Sequence, residues 1–128
     1  MSALLDPWAW AARAEEDYRL AQSALRRKQP LLYGACFHAQ QCAEKYLKAL
    51  LVSRGQAFPK THDLVALSDL CEQAGIIVPV HPESLDRLSA YAVGVRYPGE
   101  DPSLEEARSA LKTARKVRRF ARQLLGMK

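Results

Sequence analysis

Apolar residues recur along this chain at intervals of three and four in five separate stretches, and that spacing predicts five amphipathic helices. The first opens at Asp6-Pro7, a capping residue followed by proline at the first helical position. Its apolar row is Ala11, Ala14, Tyr18, Ala21 and Leu25, with basic residues Arg26 to Lys28 at its end and Pro30 in the connection. The second runs from about Leu31 to Arg54 and stops at Gly55. Cys36, Ala39, Ala43, Tyr46 and Leu50 form its row, flanked by Phe37, Leu47 and Leu51. Glu44 and Lys48 sit four apart in the favourable order for an ion pair on one helix. The third has Thr61 as expected cap, the row Leu64, Leu67, Cys71 and Ala74, and Gly75 as stop.

An apolar link, Ile76 to Val80, follows. A single strand has nothing to pair with in this chain, so the link reads as packed loop. The fourth helix is expected to start near Pro82, to carry Leu85, Leu88, Ala92 and Val95, and to end at Pro98-Gly99. The fifth starts either at Asp101 before Pro102 or at Ser103, which would form a capping box with Glu106. Its row is Ala107, Ala110, Ala114, Val117, Ala121 and Leu124. The expected architecture is all-α: one domain over residues 1–128, an up-and-down bundle of about five helices with short connections. Ala-rich seams on the two long helices allow close backbone approach, and a helix-face homodimer follows from the small core.

Composition agrees. Alanine and leucine contribute 20 and 18 residues, whereas valine, isoleucine and threonine together contribute 11, a balance that favours helix over a β-sandwich or barrel. No apolar run is long enough for a membrane span, and the start of the chain lacks a signal-peptide pattern. Cys36, Cys42 and Cys71 include no C-x-x-C pair, so neither a disulfide framework nor zinc is expected; they read as small buried side chains suited to a reducing cytoplasm. The net charge is +5, but the eight basic residues from Arg108 onward face no acid in that segment, and residues 1–107 carry −3. That basic segment fits either a solvated helix face or a surface for a phosphate backbone or acidic partner.

Candidate chemistry is sparse. There is no glycine-rich phosphate loop and no nucleophile elbow. His38, His62 and His81 share no ligand spacing, so no metal and no cofactor is expected. Two places stand out. One is the polar stripe of the second helix, His38, Gln41, Lys45 and Lys48 beside Gln40 and Glu44, which also fits a solvated face opposite the core. The other is Tyr91 to Gly99, where Arg96 either closes a helix dipole or, with Tyr91 and Tyr97, takes a phosphate and a base.

The stretch from Phe37 to Leu51, FHAQQCAEKYLKALL, resembles the second-helix signature of the HEPN family, the higher-eukaryote and prokaryote nucleotide-binding domain. Gly55 and Phe58-Pro59-Lys60-Thr61-His62-Asp63-Leu64 match that family's turn into its third helix, and Arg96-Tyr97-Pro98 matches the end of its fourth. The resemblance runs from about Ala11 to Leu125. It implies an all-α bundle that dimerises and is encoded beside a minimal nucleotidyltransferase, as a nucleotide-binding subunit or as one half of a toxin–antitoxin pair. The ribonucleases of the family carry R-x(4–6)-H at the end of helix four. Arg96 matches the arginine, but no histidine follows it, so the expected acid/base for 2′-OH attack is missing and no catalytic residue is assigned.

The resulting expectation is a cytoplasmic homodimer that binds a nucleotide or RNA through Lys45, Tyr91, Arg96 and Tyr97 and works with a minimal nucleotidyltransferase. The alternatives are a metal-independent ribonuclease toxin using Arg96, and a purely structural subunit whose basic fifth helix docks on an acidic protein.

Overall fold

The computed structural model describes residues 2–92 and 97–128. Five α-helices follow one another: α1 (Pro7–Arg26), α2 (Leu32–Ser53), α3 (Leu64–Gln73), α4 (Pro82–Ser89) and α5 (Leu104–Leu124). Residues 76–80 form no strand and act as packed link, with Ile76, Val78 and Val80 buried. The α1 cap is as the sequence suggests: Asp6 accepts from the Trp8 amide at 2.9 Å, and Pro7 occupies the first turn where no amide partner is needed. At the other end of the chain, Ser103 and Glu106 exchange two 3.0 Å hydrogen bonds, which fixes the α5 start at the capping box.

Three long helices make the core. The α1 row (Ala11, Ala14, Tyr18, Ala21), the α2 row and Ala107, Ala110, Ala114, Val117 and Ala121 of α5 are all buried. Alanines at these contacts let the backbones approach closely, while Tyr46, Leu47, Leu50 and Leu51 fill the remaining volume. Side-chain bonds set the directions. Asp17 reaches His38 while Glu15 reaches Tyr46, so α1 and α2 are antiparallel. Arg115 reaches Tyr18 while Arg118 reaches Glu15, so α5 also runs antiparallel to α1, alongside α2. The short α3 and α4 carry the chain back between the two ends of α2.

Several boundaries differ from the expectation. The α3 cap is Asp63, whose carboxylate accepts from the Val65 and Ala66 amides; Thr61 instead accepts from the Asp63 amide. A carboxylate adjoining the first turn thus takes the cap, and the hydroxyl stabilises the turn before it. α4 ends at Ser89, well before Pro98. The Ser89 hydroxyl donates to the Leu85 carbonyl and accepts from the Leu64 amide, both at 2.9 Å. This serine competes for its own helix's backbone and pins the helix end to the start of α3, after which Ala90–Ala92 tighten into a 3₁₀ turn. Val95, expected in the apolar row, lies outside the described residues. Leu124 is 43% exposed, whereas Leu125 and Met127 beyond it pack against the core.

Candidate groove and polar network

In the α2 polar stripe His38, Gln41 and Lys45 are half-buried, and the residues beside them lie deeper. Gln40, Glu44 and Lys48 are buried. Glu44 accepts from Lys48 at 2.9 Å and from Gln40 at 3.1 Å, and pairs with the His62 ring at 2.7 Å. Burial pushes the Glu44 carboxyl up, but those partners outweigh it and hold it below its ordinary value. The Lys48 ammonium also lies 5.8 and 5.4 Å from the ring centroids of Trp10 and Phe58, so its stem and charge seal the α2–α3 connection onto α1. A second cluster joins α1 to α2: the buried Asp17 binds His38 Nδ1 at 2.8 Å and Lys45 Nζ at 2.6 Å.

A third cluster joins α5 to both. Arg118 grips Glu15 with two 2.7 Å hydrogen bonds, and the Tyr46 hydroxyl donates to the same carboxylate at 2.6 Å. The hydrogen bond from Arg118 is the main reason that Glu15 is held down to about 2. Glu15 in turn pushes the Arg118 guanidinium up. Arg122 donates to Tyr46 and to the Lys128 carbonyl, and Arg115 to Tyr18. Three of the basic residues of α5 are therefore structural. Burial pushes the Cys42 thiol up and raises Cys71 to about 11, so neither offers a thiolate at neutral pH. No group of three or more potential metal ligands occurs among the described residues.

These clusters satisfy one another and leave little for a ligand. Among several surface cavities, a groove of about 320 Å³ lies between α4, its 3₁₀ extension and α5. Ser84, Arg87 and Tyr91 line one wall, and Glu106, Ser109 and Thr113 the other. The spacing explains it. Ser84, Arg87 and Tyr91 are three and four apart, as are Glu106, Ser109 and Thr113, so each set forms a row along its helix. Ala110, small and nearly buried, keeps the floor open between the rows. The lining offers hydroxyls, one guanidinium and one aromatic ring. One Glu106 oxygen is already occupied by the Ser103 amide in the capping box.

Comparison with protein families matches residues 8–124 to the HEPN domain. The chain belongs to the HEPN domain family. This HEPN bundle is also similar to the crystal structure of TT1696 from Thermus thermophilus. The two are 30% identical, with a TM-score of 0.69 over 91% of this chain and 96% of that one. Among curated proteins no sequence matches. HEPN membership places the chain among nucleotide- and RNA-related modules. No helix among the described residues is long and apolar enough to cross a membrane.

Of the four site residues expected from the sequence, Tyr91 lines this groove and Tyr97 is 68% exposed. Lys45 is held by Asp17 and lines a different cavity with Trp10 and Arg13. Arg96 lies outside the described residues. Neither His38 nor His62 lines the groove. Arg87, Ser109 and Thr113 are not among the residues that the sequence singles out. Their signal is present in the rows of polar residues at helical spacing, which only the pairing of α4 with α5 turns into two facing walls.

Proposed function

We propose that this HEPN chain is a nucleotide- or RNA-binding module that acts as a homodimer with a minimal nucleotidyltransferase partner, in a toxin–antitoxin pair. The groove beside Tyr91 is the observation that carries the binding part of this reading. Its volume suits a single nucleotide, its hydroxyls and Arg87 suit phosphate and ribose, and Tyr91 supplies a ring for a base. Arg96 and Tyr97 follow soon after Tyr91 in the sequence and add a guanidinium and a second ring to this reading. Lys45 belongs to the Asp17 cluster and is left with a supporting part.

The test is fluorescence anisotropy with a labelled adenosine nucleotide and a short labelled RNA. Arg87→Ala removes the cation and Ser109→Tyr fills the groove. Each should weaken binding about tenfold while leaving the circular dichroism spectrum unchanged. Equal binding by wild type and both variants would reject the groove as the site.

A further inference from the structure

The basic residues of α5 divide cleanly in two. Arg115, Arg118 and Arg122 turn inward onto Tyr18, Glu15 and Tyr46. Arg108, Lys112, Lys116 and Arg119 are exposed, and among the described residues none of them makes an ion pair. Their spacing of four, four and three puts them in one stripe along the helix. Glu105 stands at its N-terminal end, and no carboxylate of α5 interrupts it after that.

We infer that this stripe is a track for the phosphate backbone of a single-stranded polynucleotide whose terminal nucleotide occupies the groove. The inference rests on the groove reading above and names its ligand as a chain rather than a free nucleotide. Three features support it. Four residues of helix rise about 6 Å, and the stripe extends about 16 Å, so it presents evenly stepped cations to evenly stepped phosphates. The stripe adjoins the groove: Ser109 and Thr113 stand three residues before Lys112 and Lys116, one turn from each. A groove of about 320 Å³ takes a splayed nucleotide, which a strand can supply and a duplex keeps stacked. The rest of the chain, residues 1–107, is net −3, so the positive charge is concentrated toward α5 and the end of the sequence.

The experiment compares a fluorescent adenosine monophosphate, a labelled 12-nucleotide RNA and a labelled polyglutamate peptide. Wild type is set against Lys112→Glu/Lys116→Glu and against Arg54→Glu/Lys60→Glu, an equal charge change at exposed residues of the α2–α3 connection. Wild type should bind the RNA at least about tenfold more tightly than the mononucleotide at low salt. The α5 pair should remove that advantage and reduce the slope of log affinity against log salt by about one unit or more. The control pair should retain most of the affinity. The inference is overturned if the RNA binds no more tightly than the mononucleotide. It is overturned equally if both pairs weaken the RNA alike, or if only polyglutamate senses the α5 pair, which would make the face a protein-docking surface. Mononucleotide binding that persists in those cases leaves the groove reading standing. Absence of binding by any nucleotide would defeat both.

Discussion

The Glu15 carboxylate accepts hydrogen bonds from α2 through Tyr46 and from α5 through Arg118, so one α1 side chain ties three helices. Its folded value of about 2 lies below the ordinary 4.5. Between those values the unfolded chain binds the proton more readily, so the contribution is complete above about pH 5 and is lost as pH falls toward 2. Glu44, also held low, acts in the same direction. Thermal melts should therefore show a falling midpoint from pH 5 to pH 2.5, with a shallower fall in Glu15→Gln; parallel curves would contradict the assignment. Arg118→Ala leaves Glu15 without its main partner and should cost about 1–3 kcal/mol in a denaturant titration. Arg118→Lys recovers only part of this, because lysine lacks the two-pronged fork. Arg96 is tested by the same contrast. If it binds phosphate, Arg96→Lys and Arg96→Ala both weaken nucleotide binding while melting near wild type. A dipole-closing cation would instead leave binding alone, with Arg96→Ala the less stable protein.

At the scale of the element, the α5 capping box is the clearest local signal. Ser103→Ala removes one of its two bonds and should cost about 1 kcal/mol. Amide exchange at Glu105 to Ala107 should accelerate, whereas protection around Ala114 and Val117 should persist; uniform loss would mean that the cap holds more than its own turn. Helix identities and core rows are legible in the sequence because alanine, leucine and their spacing report a face directly. The α4 end is not. Pro98-Gly99 is a strong stop signal, yet Ser89 intervenes through a bond to the α3 amide of Leu64, a partner 25 residues away. The α2 stripe misleads for the same reason. His38, Lys45 and Lys48 look like a solvated face until Asp17 and the chain leading into α3 are seen to cover them. Polar residues signal a face, but whether water or another carboxylate meets it is a tertiary fact.

At the scale of the whole molecule, the charge clusters and the proposed binding groove occupy different regions. Most described charge pairs join α1 to α2 or α5, and the groove lies on the α4 side of α5. Trp8, Leu20 and Leu31 remain exposed on or beside the long helices. Sedimentation equilibrium at micromolar concentration should give twice the 14.3 kDa chain mass; a 14.3 kDa species alone would reject the dimer. With no histidine after Arg96 and none lining the groove, the pure protein should not cleave total RNA in the presence of chelator. Robust cleavage abolished by Arg96→Ala would show that another group supplies the proton transfer. Backbone amide NMR reports where a ligand sits without assuming an activity. On titrating adenosine monophosphate into labelled protein, the largest shift changes should fall on Ser84, Arg87, Tyr91, Ser109 and Thr113, with little change around Asp17, His38 and Lys45. Changes centred on that second set, or no changes at millimolar ligand, would contradict the account.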